Sequence, residues 1–396
     1  MADYTSELDA VILALQEKLS SVEENLASLG ETDAGQAVVI ESVSAESAAL
    51  ATRVSALEGT VPAEDPRVAE LQKLFGMLSE AATTTGKSVS ALSQVVSDLD
   101  ARLKKIESPR SSLVPGTYKP GPGTTGHVGT LTPTVGGITT TQAGQVFQNL
   151  LINGPVVIKH PGVQFINCHI KAGLSPATDP SYAAIKCYDA LTSPAKIIDC
   201  TIESVPTSNL SSCGVQGRDV EVIRCNIFGS IDGVMSTNSN VRIISCWIHD
   251  LPKHPVVATH KDGSHNDGVQ AQGGNNVEII GNYIVLGYKN NAGVMATQDV
   301  TKVNGLVIDR NWFSSIEPTK ENQTPVAINI TQTAKGAMAG VKVTNNVFSL
   351  PATWRLDRAA LIDSGTYDAM VAAGTLAGNV YEDGTPARIT RNSVAA

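Results

Sequence analysis

Apolar residues recur along the first hundred positions at alternating steps of four and three. From Leu8 the series runs Ile12, Leu15, Leu19, Val22, Leu26 and Leu29, and it resumes at Ile40, Val43, Leu50, Val54, Leu57 and Val61. After a miss at Glu64 it continues through Val68, Leu71, Phe75, Leu78, Val89, Leu92, Val96, Leu99, Leu103 and Ile106, so one register holds for about 14 heptads between Leu8 and Ile106. A helix packed on a globular core follows a 3.6-residue period and drifts out of a seven-residue frame, whereas a strict 3.5 period predicts a left-handed coiled coil. The seam turns polar at Asp33 and Gln36, and Pro62 and Pro66 each remove a backbone donor, so breaks are expected near 30–36 and 62–66. A helical hairpin folding back at the prolines is the alternative to a parallel oligomer; the phase kept across them favours the oligomer.

Past residue 107 the heptads stop. Residues 108–142 are dominated by Pro, Gly, Ser and Thr, which cannot bury enough apolar surface to fold alone. An extended linker lying along a neighbouring chain is expected there, with its single His127 solvated.

A second pattern then takes over. Its unit is apolar-x-apolar-x-x-(Cys or Asn)-x-apolar, first seen as Val163-Gln-Phe-Ile-Asn-Cys168-His-Ile170. The Cys or Asn positions are Cys168, Cys200, Cys225, Cys246, Asn282, Asn311, Asn346 and Asn379. The period-two alternation is that of a strand with one buried face. A Cys or Asn at a bend, recurring once per repeat, predicts one coil of a right-handed parallel β-helix over 143–384, with 385–396 as a C-terminal tail. These residues would stack as an internal ladder about 4.8 Å per step, the thiols free and the amides hydrogen-bonded along the stack. Cys187 and Cys213 fall outside it. A second series, Cys213-Gly-Val215, Asp232-Gly-Val234, Asp267-Gly-Val269 and Ala292-Gly-Val294, predicts another aligned strand. A β-sandwich would turn every 8–12 residues and would not repeat one residue type at each turn. The fold class is therefore an N-terminal all-α coiled coil joined to an all-β right-handed parallel β-helix.

Charge sharpens this division. The chain carries 29 Lys+Arg and 38 Asp+Glu; residues 1–107 hold 8 and 18 of them, a net of −10, leaving 21 and 20, a net of +1, for the remainder. The acidic balance argues against nucleic acid as a partner. No apolar run approaches a membrane span, and the start of the chain lacks a basic stretch followed by an apolar core, so neither membrane insertion nor secretion is expected. The 4% aromatic content suits a core of Val and Ile layers, and six Cys in 396 residues are too few for a disulfide scaffold.

Coiled coil, Gly/Pro linker and β-helix together resemble a bacteriophage tail spike, tail fibre or minor tail protein, and the β-helix resembles the pectate-lyase-like superfamily. The resemblance implies a homotrimer in the virion tail, made in the host cytoplasm and joined to other tail proteins through its N-terminal region. It also implies attachment to host cell-surface glycan, and no cofactor.

Two sets of residues are candidates for chemistry. Four of the seven His (His249, His254, His260 and His265) fall within 17 residues, in the longest insertion between coils. There His265-Asn266-Asp267-Gly268 resembles the Asn-x-Asp-Gly motif of polygalacturonase-like glycoside hydrolases. Asp232 lies one coil below Asp267, so the two carboxylates would be about 5 Å apart, as a glycosidase pair requires. The next coil, however, has Ala292-Gly293 where that family places acids, and no Gly-His-Gly or Arg-x-Lys follows. Asp232, Asp267 and His265 are thus catalytic candidates only if the chain is an enzyme; an Asp-Gly turn or a glycan-binding site are the other readings. The His spacings match no standard metal motif, and no metal is expected. Trp247, Tyr283 and Trp312, each directly after a ladder residue, are glycan-binding candidates, or would be buried against a neighbouring subunit.

Overall fold

A computed structural model describes residues 113–174, 183–206, 213–253, 263–287, 290–315, 325–331, 333, 335–354 and 357–392. The heptad segment 1–107 and its expected breaks lie outside them. The chain divides into two compact units, Met1–Leu113 and Val114–Ala396.

Among the described residues the second unit is all-β apart from one ten-residue α-helix and a 3-10 turn, built as three parallel sheets. Among the described residues, sheets A and B have ten strands each and sheet C has nine, and within each sheet every strand pairs with the third strand after it in the chain. One coil thus contributes a strand to A, then B, then C, before the chain returns to A one level higher. This is the topology of a parallel β-helix. In sheet A, Thr201–Pro206 pairs with His169–Leu174 below and Asn226–Phe228 above. In sheet B, Asp232–Ser236 sits above Cys213–Gly217, and in sheet C, Val220–Ile223 lies between Ala195–Ile198 and Val241–Ile244.

The alternation read from the repeat is what fills the interior. In sheet C, Phe165, Ile197, Val222, Ile243, Ile279 and Ile308 are fully buried, while their neighbours along each strand face outward. Sheet A contributes Ile170, Ile202, Ile227, Ile248, Ile284, Phe313 and Phe348, all in register. At about 25 cal/mol per Å² of apolar surface removed from water, these columns dominate the stability of the fold.

Corners between sheets C and A share one device. Asn149, Asn167, Asp199, Arg224, Ser245, Gly281, Arg310, Asn345 and Gly378 all adopt left-handed φ values of 51–68°. Each immediately precedes an inward-turning residue, from Leu150 through Cys168 to Asn379. The bend expected at the Cys or Asn therefore lies one residue earlier, and it is the left-handed residue that swings the ladder side chain inside. Asn, Asp and Gly suit this conformation; Arg224, Ser245 and Arg310 adopt it at a cost of about 1–2 kcal/mol each.

The ladder shows why Cys and Asn alternate in one role. The thiols of Cys168, Cys200, Cys225 and Cys246 donate to the carbonyls of Phe147, Phe165, Ile197 and Val222, one coil below, at 3.4–3.5 Å. The amides of Asn282, Asn311, Asn346 and Asn379 donate to Ile243, Ile279, Ile308 and Val343 in the same way, at 2.8–2.9 Å. Acceptors serve the coil below too: Asn282 Oδ1 takes the N–H of Cys246 at 2.8 Å, and Cys246 Sγ takes that of Cys225 at 3.4 Å. The asparagines add amide-to-amide bonds up the stack. All six cysteines are free thiols.

The β-helix is longer at both ends than the repeat indicated. Thr132–Pro133 and Ile138–Thr139 are strands of its first coil, and Ile389–Asn392 pairs with Ala360–Asp363 in its last. Leu150 stands where the ladder residue would be above the first coil, and no Cys or Asn ladder residue follows Asn379, so no motif announces these strands. Between Ala360–Asp363 and the final coil stands a helix, α1 (Ser364–Ala373), capped by Asp363, whose carboxylate accepts from Thr366 N–H, and ended by Gly374 at φ 66°.

The expected linker is likewise different. Residues 114–131 form a strap down the flank of their own β-helix, over the C-to-A corners. Pro115 O accepts from Arg310 Nη1 at 3.0 Å, and Gly126 N–H donates to Arg224 O at 3.0 Å. Val128 exchanges two hydrogen bonds with the Asn167 side chain, at 2.7 and 3.0 Å. His127 is not simply solvated: it stacks on His169 with ring centroids 5.0 Å apart, and its Nδ1 lies 2.8 Å from Thr201 Oγ1. A Pro- and Gly-rich segment cannot fold alone, but it can follow a corner whose polar groups are already fixed in space.

Candidate functional site

Asp232 and Asp267 begin successive strands of sheet B, where Val234 pairs with Val269. Each is followed by glycine for a reason of space. A Cβ at Gly233 would sit 2.5 Å from Gly268 O and 2.5 Å from the Ile248 side chain, and one at Gly268 would meet Gly293 O and Ile284 as closely. Neither glycine has a positive φ. The Asp-Gly pairs are thus not turns of the left-handed kind; glycine is required because a buried isoleucine of sheet A presses against the backbone.

The carboxylates are adjacent and almost inaccessible, Asp232 at 5% and Asp267 at 1% exposure. Asp232 Oδ1 accepts the backbone N–H of Asp267 at 2.9 Å, and its Oδ2 lies 4.0 Å from the Cys213 thiol. Asp267 Oδ1 accepts from Asn291 Nδ2 at 3.1 Å, while its Oδ2 is buried without a partner. Neither is in a salt bridge among the described residues. Burial pushes Asp232 up to about 7, and burial with the charge of Asp232 pushes Asp267 well above the ordinary carboxylate range. Two such groups side by side retain a proton at neutral pH. A glycosidase acid is tuned in the same way, but this pair is sealed, and one carboxylate is already committed to a backbone amide.

Of the four clustered histidines, two lie among the described residues. His249 belongs to sheet A, where Nδ1 lies 2.7 Å from Asp250 Oδ2 and Nε2 2.8 Å from Asn226 Oδ1. His265 is exposed, two residues before Asp267. His254 and His260 lie outside the described residues. Among those described, no group of three or more His, Cys, Asp or Glu is placed to hold a metal ion.

Trp247, Tyr283 and Trp312 do form a column. They pair in register on three successive coils, on the outward side of sheet A, and each is partly exposed. The strap reaches this column: Lys119 Nζ stands 4.0 Å from the Tyr283 ring centroid. Trp247 stacks on His249 at 3.6 Å, and its Nε1 is buried without a partner. The sequence reading missed Lys119, whose only signal was the Tyr118-Lys119-Pro120 run interrupting an otherwise small-residue segment.

No family model matches the chain, and no curated protein and no solved structure does either.

Proposed function

We propose that this chain is a structural protein of a bacteriophage tail, a minor tail protein, tail spike or tail fibre, that contributes to host attachment by binding envelope glycan as a homotrimer. The observation that supports it is the in-register column Trp247–Tyr283–Trp312. Aromatic faces repeating at the coil spacing, about 4.8 Å, offer stacking surfaces along an extended polysaccharide. The heptad pattern of residues 1–107 supports a stalk that gathers several copies, and several copies multiply weak glycan contacts into avidity. The N-terminal region would join other tail proteins.

A depolymerase using Asp232 and Asp267 is the competing reading, and their burial disfavours it. One experiment separates the two. The full chain is incubated with capsular and O-polysaccharides of candidate hosts, and both bound polymer and newly formed reducing ends are measured. The attachment reading expects binding that drops at least tenfold in Trp312→Ala and Tyr283→Ala, with no reducing ends released. Reducing ends that disappear in Asp267→Asn would establish an enzyme instead.

A further inference from the structure

The outer face of sheet C carries an apolar stripe that the fold covers only in part. Ile166, Ile198, Ile223, Ile244 and Ile280 occupy one outward column on five successive coils, paired in register. Their strand neighbours Phe165, Ile197, Val222, Ile243 and Ile279 are the buried ones. Ile244 is already covered, at 9% exposure, while Ile166, Ile198, Ile223 and Ile280 on either side of it remain partly exposed; none of the five is packed against the interior cluster. On a strand with one solvated face, polar residues are expected at such positions. Above the fifth coil they appear: the same column continues as Asp309 and Thr344. The stripe is therefore bounded, and roughly 20 Å long at the coil spacing.

The row beside it is polar but neutralised within itself. Lys196 lies 3.7 Å from Glu221, Arg242 bonds Glu221 and Glu278 at 2.8 Å each, and the four charges sum to zero. A surface to be covered by protein needs its charges already satisfied, and this row meets that condition without borrowing from a partner.

The position where the chain enters the β-helix suggests what covers the stripe. Gly116 abuts Gly281 and Arg310, the corner residues next to Ile280 and Asp309, so the strap begins at the upper end of the stripe. The preceding residues are the heptad segment, whose register is that of parallel self-association. Copies gathered by that segment would enter their β-helices at the same level, with equivalent stripes aligned.

We infer that the Ile166–Ile280 stripe of sheet C is the face on which β-helices of neighbouring copies pack side by side, parallel and in register. This rests on the oligomeric reading above and adds to it which face is buried.

The test uses the full chain with Ile198→Cys, Ile223→Cys or Lys196→Cys, a short bismaleimide cross-linker, and native mass measurement of the unsubstituted protein. The six natural thiols are fully buried and do not compete. Val371→Cys on α1, at a site 56% exposed, is the control. An oligomer with same-residue cross-links at 198, 223 and 196, each several-fold above the control, is the expected result. An oligomer that cross-links at Val371→Cys as well as at the sheet C positions overturns the face while leaving self-association intact. A monomeric mass overturns both.

Discussion

At the scale of single residues, the ladder makes a sharp statement about exchange. Cys and Asn occupy one column because each supplies a donor to the carbonyl of the coil below and an acceptor for its N–H. Alanine supplies neither. Asn311→Ala strands the Ile279 carbonyl and the Asn282 N–H in the interior, where each unpaired group costs about 1–3 kcal/mol. We expect a loss of about 2–4 kcal/mol in urea unfolding, and a smaller loss for Asn311→Cys; equal losses would remove the account of why the two residues alternate. The buried aspartates predict a pH dependence. An unfolded aspartate titrates near 3.8 and Asp232 in the fold at about 7. Between those values the native state holds a proton the unfolded chain has released, so stability is complete below about pH 4 and declines as pH rises towards 7. Across the whole interval the decline is on the order of 4 kcal/mol. Asp267→Asn removes the second carboxylate and should flatten the slope of Tm against pH between 4 and 8; an unchanged slope would assign the dependence elsewhere.

At the scale of elements, the corners and the strap depend on each other. Gly281 takes φ 65°, and a Cβ there would lie 2.4 Å from Gly116 N in the strap. Gly281→Ala therefore strains its own corner and displaces the strap together, and should cost at least about 2 kcal/mol. A specific sign is faster chymotryptic cleavage after Tyr118 in that variant under native conditions, since Tyr118, whose hydroxyl is buried, and Lys119 above Tyr283 lose their seats together; cleavage at the wild-type rate would mean the strap holds independently. Legibility divides along the same lines. The strands of the middle coils were readable because inward Val and Ile alternate with polar residues and one Cys or Asn marks each turn. The first and last coils were not, because strands such as Thr132–Pro133 and Ile389–Asn392 are two to four residues long and their burial comes from the coil next to them. The proximity of Asp232 and Asp267 followed from the repeat, but their sealing did not, since burial depends on what other segments place over a position. The need for glycine after each was legible as a pattern and misread in cause: the reason lies in Ile248 and Ile284, on another sheet.

At the scale of the whole molecule, a β-helix behaves as a stack in which each coil contacts mainly its neighbours, and such stacks tend to open from their ends. The strap is the exception. It touches the corners at Asn167, Arg224, Gly281 and Arg310 in turn, so the lower coils and the upper ones share one segment. Unfolding should consequently be a single transition across the strapped coils in wild type, and should broaden or split in Arg310→Ala, as read by hydrogen exchange of sheet C amides along the axis.

The strap also dictates a sequence of events in time. Pro115 and Arg310 are 195 residues apart in the chain. On a ribosome adding about 5–20 residues per second, Pro115 is made at least ten seconds or so before the arginine that will hold it. The segment synthesised first is thus among the last to be secured, and its docking reports that the coils up to Arg310 are finished. Pulse-labelling during refolding should find the amide of Gly126 protected after those of Val222 and Ile243; the reverse order would mean the strap is a template for the coils rather than their seal.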